Sequence, residues 1–452
     1  MPVINWGTAA LLMVGLLLNG CGEKAGDDAG YWTMHVIEDQ MDGADGVDLF
    51  DIDGDGDLDA LSGWEESAQV LLHENPGAAF VTSPWRRTSV NGGLSMRKIE
   101  DARYADFTGD GFIDAVVTAT ENHSEKVGVH WLVNPESPFA EDSWQGTWIG
   151  QELKYPYIKV VTGQIDGRGS LDIAAGSKND TGPASLVWYQ APDNPGVENA
   201  SQWRGHVIAD IQWTDTLEIL DINADGANDV LLGYWQHLAW YENPGNLGEA
   251  PTAWTEHIIS NTTKSYFARC NSNEFADSKL RIVAGADLSS AVAGDTVAWL
   301  VSKQMDEQGN WLGGWLQQPI TTPDPIPRDQ GQQDYKVKSM ACGNIDSDPR
   351  PDIVVSMSGF GHGVFALMNL ADTTDPQSLR LKTIASARFN SRKGIKFDDV
   401  RLADIDVDGD LDIVTTEENG SRDYWWSTRG LGLIWYENPT CISPRPAQPK
   451  PK

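Results

Sequence analysis

The sequence predicts an all-β fold, a seven-bladed β-propeller of four-stranded antiparallel blades, closed by the N-terminal strand joining the last blade. Three observations predict it. One aspartate-rich block recurs seven times along the 452 residues, at intervals of 52 to 71 residues. Each copy has companion segments in a fixed order. The stretches around the copies are short, rich in Val, Ile, Leu and aromatics, and bounded by Gly, Asn, Pro or Asp, the pattern of strands.

The blocks read DIDGDGDLDAL from Asp51, DFTGDGFIDAVV from Asp106, QIDGRGSLDIAA from Gln164, DINADGANDVLL from Asp221, NEFADSKLRIVA from Asn273, NIDSDPRPDIVV from Asn344 and DIDVDGDLDIVT from Asp404. Upstream lies a Trp-x-x-His-x-Ile-like segment, as at Trp32, Trp203 and Trp254. Downstream lies an aromatic segment ending in Asn-Pro, as at His73, Trp240 and Trp435. No long helical period interrupts the chain. A unit of four strands repeated roughly four to eight times is what a propeller needs, because each blade buries its faces against its neighbours.

These blocks and companions resemble the FG-GAP or VCBS repeat propellers, a superfamily that includes the integrin α-chain head. The resemblance covers residues 31–440, nearly the whole chain after the leader. It implies that each Asp-rich loop joins the innermost strand of a blade to the second. By repeat logic the segment YWTMHVI from Tyr31 is an outermost strand, whereas the last unit ends at WYENP without one. Residues 31–37 are therefore expected to complete blade seven and cover its open edge.

The loops have the chemistry of a hard-cation site. In the first copy carboxylates stand at positions one, three, five and nine, with further acid at seven: Asp51, Asp53, Asp55, Asp57 and Asp59. Oxygens so spaced can surround calcium at about 2.3–2.6 Å, with a backbone carbonyl at position seven, and glycine at six permits the sharp turn. An EF-hand would need Glu at position twelve, where Ser62 and Thr415 stand. The last copy is equally complete, with Asp404, Asp406, Asp408, Asp410 and Asp412. Oxygen is kept throughout by Asp106, Thr108, Asp110 and Asp114, and by Asp221, Asn223, Asp225 and Asp229. Asn344, Asp346, Asp348 and Asp352 form a fifth candidate, while Arg168 and Arg281 spoil the Gln164 and Asn273 copies. Four or five structural calcium ions are expected, coupled to folding because unneutralised carboxylates in one loop repel.

The flanks and composition bound the setting. The apolar run Ala9–Leu18 is too short to span a bilayer and ends at Leu-Asn-Gly-Cys, which resembles a bacterial lipoprotein signal peptide of residues 1–21. Cys21 would be lipidated, residues 22–30 would be a tether, and residues 441–452 a Pro-rich tail. Export follows, with an outer-membrane or cell-surface location favoured by Gly22, a periplasmic or secreted one otherwise, and a membrane contact only through the lipid. A net charge of −33 repels nucleic acid. Of the remaining cysteines, Cys270 and Cys342 occupy similar places in consecutive repeats. A bridge between them fits, but two buried free thiols are the expected state.

A ligand site is expected on the face opposite the loops. Eight residues before the Asp blocks stand Lys98, Trp213, Lys336 and Lys396, with Lys154 and Tyr266 nearby. Loops leaving the second strands add Trp235, Arg422 and Trp425. Lys and Arg interleaved with aromatics suit an anionic sugar or another carboxylated ligand. The leading function is thus binding of a glycan or a protein partner. The rival is a carbohydrate-active lyase or dehydratase, in which His123, His237 or His362 would take a proton beside a carbonyl or uronate.

Overall fold

The computed structural model describes residues 31–440 except for 121–126, 141–142, 151–154, 180–183, 236, 246–252, 262–265, 271–279, 286–295, 324–335, 347, 359–362, 372–374, 387–395 and 419–429. The predicted signal segment with Cys21, the tether and the tail fall outside the described residues. Seven antiparallel sheets follow one another along the chain. Their first strands are Ala44–Phe50, Ile99–Ala105, Tyr157–Gly163, Thr214–Leu220, Phe267–Cys270, Lys336–Gly343 and Phe397–Ala403. These strands face one another around the axis, and each sheet adds its later strands outward, which gives the predicted β-propeller. Blade five has a fifth strand, Gln377–Ser378, added in parallel to Trp311–Thr321. No helix among the described residues is long and apolar enough to cross a membrane.

The ring closes as the repeat logic requires. Thr33–Glu38 pairs antiparallel with Gly432–Glu437, and His35 lies opposite Trp435. The recurring motifs turn out to be two sides of this contact. His35 stacks on Trp435 at 4.4 Å between ring centroids, and its Nε2 is 2.8 Å from Glu437. His257 repeats the arrangement on Trp240 at 4.3 Å and Glu242 at 2.7 Å, and His206 on Trp188 at 4.7 Å. A histidine in Trp-x-x-His-x-Ile therefore belongs to the edge of a blade, held by the Trp of the strand beside it and by the Glu two residues on, or for His206 by Gln190 in that place.

The Asn of that segment reaches farther. Asn75 Nδ2 donates to the carbonyls of Leu58 in its own blade and Ile405 in blade seven, both at 3.3 Å. Asn243 does the same to Asn228 and to Ile165 of blade three, both at 2.9 Å. Between the sheets lie apolar layers, such as Trp64, Leu71, Val414 and Trp435 packed between blades one and seven. Apolar burial and these polar clasps act at the same seams.

The cysteine expectation is corrected. Cys270 and Cys342 form a disulfide, with a Cα separation of 5.2 Å. The inner strands of blades five and six run side by side; Cys270 lies opposite Arg281 and Cys342 opposite Ile353, one register apart, so their side chains leave opposite sheet faces and meet across the seam.

Candidate functional site

Four of the described Asp loops share one backbone design. In the first, Asp51 accepts from the amides of Gly54 at 2.8 Å and Gly56 at 3.1 Å, so the carboxylate draws the loop around itself. Gly54 and Gly56 have φ of 78° and 106°, where a side chain would be strained. Asp106 holds Gly109 and Gly111 at 2.7 and 3.1 Å in the same way. Asp221 and Asp404 likewise bind the position-six amides, Gly226 at 2.9 Å and Gly409 at 3.0 Å.

Position nine is primarily a folding position. Asp59 accepts from Ile52 N at 3.2 Å and from Asn75 N at 2.9 Å. Asp172 makes equivalent bonds to Ile165 and Ala191 in the Gln164 loop, which lacks a full ligand set. Burial pushes these carboxyls up, to about 8 for Asp59 and Asp412, about 7 for Asp114 and Asp172, and about 6 for Asp229 and Asp352.

The loops then divide by what neutralises them. In the first and last, oxygens of Asp51, Asp53 and Asp59, and of Asp404, Asp406 and Asp412, lie within 4.8 Å of one another, a spacing that one calcium ion can span. Asp57 Oδ1 is buried with no hydrogen-bond donor, and burial with the neighbouring Asp55 pushes this carboxyl up to about 6. These residues fit a cation. In the Gln164 loop the side-chain amide instead donates to the carbonyls of Arg168 and Ser170 at 3.1 and 2.9 Å, which supplies the charge-free equivalent.

Loops four and six are intermediate. Asn223 donates to Asp225 at 2.8 Å, and the Lys303 ammonium meets the Ile222 carbonyl close to Asp221 and Asp229. Asn344 Nδ2 meets the Asp348 carbonyl, Arg350 N donates to the Asp348 carboxylate at 2.7 Å, and Asn369 donates to Asp346 at 3.1 Å. The Asn273 loop lies outside the described residues.

The axial mouth carries Lys98 and Lys396 of the lysines named from the sequence, and it also carries acids that the spacing did not reveal. Lys98 pairs with Glu65, Lys396 with Glu418 and Asp398, Lys178 with Glu100, and Lys338 with Asp398. Below them, a cavity of about 440 Å³ is lined by Asp101, Arg103, Lys159, Lys338, Asp399 and Arg401 among others. Burial alone would raise the Asp399 carboxyl, but Arg401 and Arg103 hold it well below the usual range. Tyr266 is half-buried near Asp215, and loss of solvent and that carboxylate together push its phenol up. Lys178 lies over the Trp213 ring at 5.6 Å. Trp235 is exposed farther out.

Lys154, Arg422, Trp425, His123 and His362 lie outside the described residues, as does the side chain of Lys336. His237 Nδ1 is 2.9 Å from Asn261 Oδ1 and its ring neighbours Tyr234, away from the axial cavity.

A second cavity escaped the sequence reading. It measures about 540 Å³ and lies between the outer parts of blades one and two, lined by Gln69, Ser89, Asn91, Gln145, Trp144 and the backbone of Gly92, Gly93 and Gly146. Only its glycines, amides and tryptophan could have signalled it, and these belong to segments far apart in the chain.

No family model matches the chain, and no curated protein matches it. Among solved structures, it is similar to a lectin of Agrocybe aegerita that recognises non-reducing terminal N-acetylglucosamine, with 14% identity, a TM-score of 0.47 and coverage of 83% of this chain and 91% of that one. It is also similar to BBS1N in complex with ARL6DN, in crystals soaked with mercury (8% identity, TM-score 0.45, 90% and 97% covered) and with lead (10%, 0.44, 90% and 96%).

Proposed function

We propose that this chain is an exported, calcium-stabilised propeller whose task is to bind an extracellular glycan, with a protein partner as the alternative occupant. The cleft between blades one and two carries the glycan reading. Its lining offers amides, a hydroxyl and backbone groups but no charged side chain, and its volume suits a small saccharide. An anionic sugar was the expectation from the mouth lysines. Since each described lysine there already faces a carboxylate, a neutral glycan is the better match.

Calcium is proposed for the first, second and last loops, where carboxylate or hydroxyl oxygen stands at every side-chain position. The Cys270–Cys342 bridge supports export, because disulfides persist in oxidising compartments.

The test is a glycan array probed with the purified chain and with Gln145→Ala and Ser89→Ala variants, while ultraviolet absorbance is followed for unsaturated uronate. Binding by the parent that falls at least tenfold in the variants supports the cleft. Equal binding by all three proteins sinks it, and new absorbance would favour the lyase reading instead.

A further inference from the structure

The seam between blades one and seven, at the mouth opposite the Asp loops, gathers carboxylates from three separate segments. Asp45 stands on the inner strand Ala44–Phe50, Glu65 follows the second strand Asp59–Trp64, and Glu418 follows Asp412–Glu417. Thr416 Oγ1 donates to the Asp45 carbonyl and holds the two blades together at this point. One side-chain oxygen of each acid lies within 4.8 Å of the other two.

The Asp45 side chain is the unexpected member. It is only 8% exposed, no described residue donates a hydrogen bond to its carboxylate, and the lysines whose charge reaches it, Lys159 and Lys396, form no ion pair with it. A buried carboxylate without a partner is costly unless something neutralises it. The lysines nearby are already engaged. Lys98 pairs with Oε1 of Glu65 and Lys396 with Oε2 of Glu418, so each glutamate keeps one oxygen outside that ion pair. Beside them Glu66 Oε2 is buried without a donor and packs over Gly43, where no side chain could fit.

We infer that Asp45, Glu65 and Glu418 bind a hard divalent cation of calcium's size at the axial mouth. An ion with oxygens at about 2.3–2.6 Å has its ligands no more than about 5 Å apart, which matches the cluster. Oxygen-only ligands select calcium or its neighbours over zinc or copper. The ion links the first and last blades at the face where no Asp loop can, and the remaining coordination places are left to water. This site does not depend on metal in the loops.

The test counts bound calcium per chain by equilibrium dialysis and elemental analysis, in the parent and in Asp45→Asn, Glu65→Gln and the loop variant Asp53→Asn. Asp45→Asn and Glu65→Gln should each bind one ion fewer than the parent, and combining Asp45→Asn with Asp53→Asn should remove two. An unchanged count in both mouth variants overturns the site, whatever Asp53→Asn does. If the loops hold no metal, the parent still loses one ion on Asp45→Asn. Should Asp45→Asn fail to fold by circular dichroism, Glu65→Gln decides alone, because Glu65 lies in a partly exposed surface turn.

Discussion

Asn438 Nδ2 donates at 2.8 Å to the carbonyl of Ile345, a residue of the preceding blade, and at 3.0 Å to Leu411 in its own. The side chain is fully buried, so neither carbonyl has water as a substitute. Asn438→Ala should therefore cost about 2–3 kcal/mol, from two carbonyls left without donors. Urea unfolding checks this. A loss below about 0.5 kcal/mol would mean that the seam repacks without the clasp.

This clasp shows what the sequence could and could not disclose. Blade number, strand order and the closing strand were legible because a repeat fixes them by period alone, and Trp32 with His35 matched the outer strands of other blades. The role of Asn438 was not, since its partner Ile345 is separated by most of two repeats and contributes only a backbone atom. The mouth was half legible. Lys98 and Lys396 recur at one register, but Glu65 and Glu418 sit in loops of irregular sequence, so the acids that neutralise the lysines had no pattern to announce them. Cys270 and Cys342 stand within one position of each other in consecutive repeats, yet thiols in such places are as well suited to packing as to bonding.

The disulfide gives a second prediction. It closes a sequence separation of 72 residues, and chain-entropy arguments assign about 4 kcal/mol to a loop of that length. Paired Cys270→Ser and Cys342→Ser substitutions should lower the melting temperature by several degrees and raise the unfolding rate. A variant melting with the parent, before and after adding reductant, would show that blades five and six are held by packing alone.

Calcium dependence should differ between loops. Asp404→Asn removes one carboxylate of the Asp404, Asp406 and Asp412 cluster and one oxygen accepting from the loop amides, so its cost should be clearly larger in calcium than in chelator, where only the amide bonds to Asp408 and Gly409 are weakened. Gln164→Ala removes a side chain that already supplies donors to the carbonyls of its loop. Its cost of about 1–2 kcal/mol should be the same with and without calcium. Melting curves of the two variants in calcium and in EDTA make the comparison. Equal calcium response in both would break the division between metal-binding and self-satisfied loops.

Asp172 supplies a pH prediction free of metal, because it belongs to the Gln164 loop. Burial raises its carboxyl from 3.8 to about 7 in the folded chain, against the pull of the amides of Ile165, Asp166 and Ala191. Between those values the folded state keeps a proton that the unfolded state releases. Its contribution to stability is therefore complete below 3.8 and is lost as pH rises toward and through 7. Asp172→Asn cannot titrate, and it loses one accepting oxygen at every pH, which adds a constant offset. The stability gap between parent and variant, measured by urea unfolding in EDTA, should shrink steadily from about pH 4 to pH 8. A gap that stays constant, or widens with pH, would mean that the three amides outweigh burial and keep Asp172 ionised.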